Sequence, residues 1–181
     1  MGDNGKLYVN EGLVPIYRQE IIPLATIITP NLFEAELLAE MKITNVDDVW
    51  KAISLLHAKG CETVVISSVE FQNEPGMNIF ASKKKGDLRE KLAMTIEKLP
   101  ISFTGSGDLF AALFLSWMYR SNENLKESLE KTVASLQAVL KRTADYVKGK
   151  EINSTNKELK LIQSKVDIEK PKILCYASIV E

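Results

Sequence analysis

At 181 residues, with 45% apolar and 26% charged, the chain has the length and composition of one globular domain with a sizeable core. Its 23 basic and 24 acidic residues give a formal net charge of −1, which draws neither nucleic acid nor an anionic membrane and leaves a small molecule as the expected partner. Cys61 and Cys175 lie far apart without a CxxC spacing and His57 is the single histidine, so a disulfide framework and a zinc site are excluded and a reducing cytoplasmic setting is expected. No apolar run reaches membrane length, and the opening Met1-Gly2-Asp3-Asn4-Gly5 lacks the character of an export signal.

In chain order, Val14, Ile16, Tyr17, Ile21 and Ile22 recur at helical spacing until Pro23 closes a short helix. Residues 25–29 form a β-branched run stopped by Pro30, and residues 31–38 switch to helical periodicity, so a strand feeds a helix. A second helix follows Thr44, with Val46, Trp50, Ile53, Leu55 and Leu56 on or near one face, and ends at Lys59-Gly60, where glycine suits a C-cap. Residues 63–68 read as a buried strand. Strands and helices alternating at this length predict βαβ units and a mostly parallel sheet.

Beyond residue 69 the pattern changes. A turn at Asn73-Glu74-Pro75-Gly76 and strand-like alternation at 78–81 and 92–96 predict a hairpin at the sheet edge. Lys83-Lys84-Lys85-Gly86-Asp87 is then its solvated tip, with a basic anion site as the alternative. Residues 109–118 are apolar nearly all round, which predicts a helix buried on most of its surface. Asn124 and Glu127 open a further helix on which Leu125, Leu129, Val133, Leu136, Leu140 and Val147 form one core stripe. Residues 148–156 read as a loop, a short helix is expected near 159–162, and residues 173–179 close the sheet as a last strand. With no repeat and no linker, residues 1–181 are expected to form a single domain.

The chemistry concentrates in Thr104-Gly105-Ser106-Gly107-Asp108, where two glycines flank a hydroxyl residue directly before a helix. Backbone N–H groups converge there with the positive end of the helix dipole, the glycines let a phosphate approach, and Asp108 in the first turn can accept a proton from an attacking hydroxyl. These are the parts that phosphoryl transfer needs, although a glycine-rich loop with a helix-starting aspartate would look the same in isolation. The run is neither a Walker loop, since no GK[ST] follows, nor a complete GxGxxG fingerprint.

The order TPN-x-x-E at a strand-to-helix junction, then VVISS, then TGSGDLFAA resembles the C-terminal half of the ribokinase-like superfamily, and within it the pyridoxal kinases. The likeness runs from residues 2–9 through 23–31 to 163–165 and so covers nearly all of the chain. It implies an α/β fold: part of a three-layer α/β/α architecture with a mostly parallel central sheet whose N-terminal strands are missing. It also implies ATP-dependent phosphorylation of the 5′-hydroxyl of pyridoxal, pyridoxine or pyridoxamine, with Asp108 as general base and Gly105, Ser106 and Gly107 cradling the phosphate. Ser106 stands where the family often has threonine.

Asn31 and Glu34 match residues that organise phosphates and magnesium, and a capping pair is their plain structural alternative. Asp3 matches an acidic residue near ATP and metal, against a simple turn residue. Thr29 and Ser68 match hydroxyls that contact ATP, Leu99 an apolar position against adenine, and Tyr8 an active-site loop, each with strand-end bonding or core packing as the alternative. Magnesium or another divalent cation, a monovalent cation, ATP as co-substrate and a homodimer follow from the same resemblance. The family is longer, with most of the vitamin pocket preceding the point that matches Met1, so Met1 is expected to be an internal methionine of a fragment. A catalytically silent nucleotide-binding or dimer-forming remnant, and a hydroxymethylpyrimidine or sugar kinase, are the competing readings.

Overall fold

The computed structural model describes residues 1–3, 5–71, 76–149 and 155–181. They form two compact units, Met1–Ile96 with Ser178–Glu181, and Glu97–Ala177.

The first unit opens with a small antiparallel hairpin, β1 (Gly2–Asp3) and β2 (Lys6–Leu7). Helix α1 (Leu13–Ile16) widens into a π-helical turn at Tyr17–Ile21 and tightens into a 3₁₀ turn at Ile22–Leu24, so the helix closed by Pro23 is present but irregular. Then follow β3 (Ile27–Ile28), α2 (Leu32–Ala39), α3 (Val46–Ala58), β4 (Thr63–Val69), β5 (Met77–Lys85) and β6 (Leu88–Ile96). Strand β7 (Ser178–Ile179) completes a sheet of order β3-β4-β5-β6-β7.

The expected α/β class holds, but among the described residues the sheet is mixed rather than mostly parallel: β3–β4 is parallel, and β4–β5, β5–β6 and β6–β7 are antiparallel. The cause is loop length. Two residues, Gly86 and Asp87, join β5 to β6, and so short a turn can only send the chain back antiparallel; Gly86 supplies the left-handed φ of +62°. Residues 73–75 of the expected turn lie outside the described residues, and the hairpin is flanked by β7 rather than forming the sheet's edge.

The core of this unit gathers Val49, Ala52, Ile53 and Leu56 of α3 with Val64, Ile66 and Val69 of β4, Ala35 and Leu38 of α2, and Phe80 of β5. The spacing on α3 is that of one helical face, and Asn45 caps its start. Buried among these elements, His57 joins α3 to the hairpin: its Nδ1 lies 2.8 Å from the Cys61 carbonyl and its Nε2 3.0 Å from Ser82 Oγ. A carbonyl can only accept, so Nδ1 carries the proton and neutral Nε2 accepts from the Ser82 hydroxyl, whose oxygen accepts Arg89 Nε–H at 3.2 Å. The Cys61 thiol is buried and pushed up to about 11, chiefly by that burial, which makes it inert.

The second unit contains α4 (Ser106–Arg120), α5 (Leu125–Val147) and α6 (Lys165–Glu169), the last preceded by a 3₁₀ turn at Ile162–Ser164. The α5 stripe is buried as expected. Helix α4 corrects the expectation of burial nearly all round: Phe110, Leu113, Phe114, Trp117 and Met118 are buried, while Leu115 and Tyr119 are 62% and 86% exposed. The buried positions recur every three or four residues, which is a single packing face against α5, and the residues between them stay in water. The short helical segment begins at Ile162 rather than 159, and the last strand pairs only through Ser178 and Ile179. Much of the loop expected at 148–156, residues 150–154, lies outside the described residues. No helix among the described residues is long and apolar enough to cross a membrane.

Burial holds His57 below the ordinary value of 6.5; the bond to Cys61 opposes this, and the Arg89 and Lys84 charges add to it. The folded form therefore resists a proton that the unfolded chain accepts. The His57 contribution should be complete above about pH 6.5 and should diminish as pH falls from there through the lower folded value. Urea midpoints measured from pH 7.5 to 5 should fall less steeply for His57→Asn than for the native chain.

Candidate active site

The first N–H groups of every α-helix lack acceptors within the helix. In α2, α3 and α5 an asparagine answers one of them: Asn31 accepts from Glu34 N–H at 2.8 Å, Asn45 from Asp48 at 3.0 Å, and Asn124 from Glu127 at 2.9 Å. Helix α4 differs. Gly105 takes the N-cap position with φ +80°, no side chain caps the helix, and the Leu109 N–H donates to the Gly105 carbonyl at 3.0 Å. The N–H groups of Ser106, Gly107 and Asp108 precede that bond, at the positive end of a helix of 15 residues. A Cβ added at Gly105 or Gly107 would meet nothing within 4 Å, and Gly107 and Asp108 are exposed, so this backbone is open to a ligand. Asp108 lies in the first turn, beside those donors.

Within the first unit, Asn31 and Glu34 form the complete capping box expected as their structural role, with Glu34 Oε2 accepting from Asn31 N–H at 3.0 Å. They also do more. Glu34 Oε1 accepts from Gly2 N–H at 3.2 Å and from the Met1 amine at 2.7 Å, while Asn31 Nδ2 donates to the Gly2 carbonyl at 2.7 Å. These bonds fasten the β1–β2 hairpin to the start of α2 and bring Asp3 beside Asn31 and Glu34. Gly2 has to be glycine, because a Cβ would come within 2.7 Å of the Lys6 carbonyl and of the Phe33 ring. The Tyr8 N–H closes this loop on the Met1 carbonyl at 3.0 Å, and its ring is 70% exposed, which excludes a core role.

Thr29 follows β3 and Ser68 lies near the end of β4, at the carboxyl ends of the parallel pair, where open α/β sheets bind ligands. The Ser67 N–H donates to the Pro30 carbonyl at 3.0 Å. Ile66 pairs with Phe80 and Val69 with Asn78, so β4 holds one residue more than β5 between these pairs; the bulge contains Ser67 and Ser68.

In the second unit, Leu99 lines a groove of about 520 Å³ formed with Pro100, Ile101 and the last turns of α5, including Ala144 and Val147. Its walls are tied together by Gln137 Nε2 donating to the Glu97 carbonyl at 3.4 Å and by a Lys141–Glu97 ion pair at 3.5 Å. Periodicity alone places Val147 on the core stripe; its second role at the groove carries no sequence signal beyond Gly149, whose φ of +78° marks the helix stop nearby. Leu99 and residues 105–108 thus share one stretch of chain in one unit, while Asp3, Thr29, Asn31, Glu34 and Ser68 gather in the other.

Among the described residues no group of three or more His, Cys, Asp or Glu side chains could hold a metal alone. Magnesium bound to phosphates needs only one or two carboxylates and keeps water for the rest, which is a smaller demand than such a group would meet.

A helix start with open donors and a carboxylate in one unit, and parallel-strand ends bearing hydroxyls in the other, are parts that phosphoryl transfer to a small molecule uses. A sequence model described as phosphomethylpyrimidine kinase matches residues 1–156, and the chain belongs to this ribokinase-like family. Its curated relatives are more particular. The pyridoxal kinase of Arabidopsis thaliana is 43% identical over 175 residues, covering 96% of this chain and 57% of the relative. The Homo sapiens pyridoxal kinase is 39% identical over 189 residues, covering 97% and 61%. The solved structure of Plasmodium falciparum PdxK with AMP-PNP and PL is 32% identical with a TM-score of 0.87, and the match covers all of this chain and 58% of that one. Leishmania donovani pyridoxal kinase in complex with ADP and pyridoxine is 25% identical with a TM-score of 0.89, over all of this chain and 60% of that one. The chain therefore spans 57 to 61% of the length of these two curated relatives.

The two glycines of the α4 start should respond oppositely to alanine. Gly105→Ala forces a left-handed backbone on a residue with Cβ and should lower unfolding free energy by about 1 kcal/mol. Gly107→Ala meets open space in a helical conformation and should raise it by a few tenths to about 1 kcal/mol. Urea denaturation of both variants measures the signs.

Proposed function

We propose that this chain is the ATP-binding and catalytic part of a pyridoxal kinase, which transfers the γ-phosphoryl group of ATP to the 5′-hydroxyl of pyridoxal, pyridoxine or pyridoxamine in pyridoxal 5′-phosphate salvage. The observation that carries this is the uncapped start of α4: Gly105, Ser106 and Gly107 with open backbone, and Asp108 in the same first turn, in a chain whose curated relatives are pyridoxal kinases.

In this reading the Asp108 carboxylate takes the proton of the attacking hydroxyl as its oxygen bonds to the γ-phosphorus and the bond to the β,γ-bridging oxygen breaks, releasing ADP. The N–H groups at the start of α4 neutralise charge on the transferring phosphoryl oxygens. Asn31, Glu34 and Asp3 serve the phosphates and the magnesium or other divalent ion, which would supply charge neutralisation. Thr29 and Ser68 contact ATP through their hydroxyls, Leu99 packs against the adenine, and Tyr8 lies in a loop at the active site. A monovalent cation, a homodimer of single-domain chains and a cytoplasmic location belong to the same proposal.

A second reading, nucleotide binding without turnover, draws support from the 57 to 61% of relatives' length that the chain spans. Incubating the purified chain with ATP, magnesium and pyridoxal separates the two. The proposal expects phosphorylated pyridoxal, with Asp108→Asn lowering turnover by about 10²- to 10⁴-fold while nucleotide binding persists. Nucleotide binding with no product from the native chain would assign it to the second reading.

A further inference from the structure

We propose that Asp145 reads the purine at its 6-position, so that the chain selects a nucleotide carrying a 6-amino group over one carrying a 6-oxo group. This rests on the reading of the Leu99 groove as the site of the base. The groove lies wholly within the second unit, and its apolar surfaces come from Leu99, Pro100, Ile101, Ala144 and Val147. Such walls hold any flat base by dispersion and stacking, and so bind without choosing. Choice requires a polar group at a fixed place.

Three charged side chains line the groove: Lys141, Asp145 and Lys148. The lysines can only donate hydrogen bonds, and Lys141 is engaged with Glu97. Asp145 is the one side chain among the described lining residues that accepts, and an ionised carboxylate only accepts. An exocyclic amino group offers it a donor, whereas an oxo group at the same position turns a carbonyl oxygen toward a negative charge. The groove also holds its shape, because the Glu97 end of the Leu99 wall is fixed to α5 by Gln137 and Lys141. The six-residue separation of Leu99 and Gly105 limits their distance to about 20 Å. An extended nucleoside triphosphate can bridge that span, with its base in the groove and its phosphates at the start of α4.

The test uses the full chain with methylanthraniloyl-ATP as fluorescent probe and ATP or ITP as displacing nucleotide, since these two purines differ at the 6-position. The native chain should favour ATP by about tenfold, the scale of one hydrogen bond to a charged group. Asp145→Ala should bring the two nucleotides close to parity. Asp145→Asn, whose amide can donate to an oxo group, should shift preference toward ITP, a reversal that a structural role for Asp145 would not produce. An unchanged ATP-to-ITP ratio in both variants overturns the inference and leaves the groove reading standing. Leu99→Asp checks that reading itself: if it leaves probe binding intact, or if the native chain does not bind the probe, the base lies elsewhere and both fall.

Discussion

Backbone donors at the starts of helices are the constraint around which this molecule is arranged. A buried or half-buried N–H without an acceptor is costly, and three long helices meet the demand with an asparagine one residue before the first turn. At α4 the chain supplies Gly105 in a left-handed conformation and leaves the donors facing outward. The difference separates a helix start that serves only the fold from one that can receive an anion. Water satisfies such donors in the free protein, and phosphate oxygens satisfy them better because the helix dipole favours negative charge there.

The same constraint explains why Glu34 combines two roles that would otherwise compete. As the third residue of α2 it accepts from the backbone of Asn31, and its second oxygen accepts from the backbone of Gly2. Its charge is thus held in place by main-chain donors instead of by a lysine or arginine side chain. The cation beside it is the Met1 ammonium, 2.7 Å from the oxygen that also accepts from Gly2. The hairpin that carries Asp3 is positioned by the same bonds, so the acidic groups of this region form one unit of structure with the start of α2.

Much of this was legible in the sequence because it is local. Capping residues, the Gly105–Gly107 pair and the stripe on α5 are statements about residues three or four apart, and periodicity finds them. Strand direction was not local. The alternation at 78–81 and 92–96 announced a hairpin, yet the alternating helices and strands before it suggested a mostly parallel sheet, and among the described residues only β3–β4 is parallel. Helix α4 misled for another reason: its apolar residues occupy more than one face, and which face packs is decided by α5, a neighbour that periodicity cannot see. The groove beside Leu99 was half visible. Leu99 stood out through the family likeness, whereas its opposite wall, at the end of α5, had the same apolar spacing as any core helix.

The bulge in β4 bears on how the chain tolerates change in length. Removing one of its two serines would leave the pairs Ile66–Phe80 and Val69–Asn78 joined by a regular ladder, so sheet pairing alone does not require the extra residue. Its presence interrupts pairing with β5 alone: on the other side the Ser67 amide keeps the parallel register, donating to the Pro30 carbonyl as the Thr63 amide donates to that of Thr26. Single-residue deletions, usually read as damage to a strand, would here regularise its pairing with β5 and remove one of two half-buried serines.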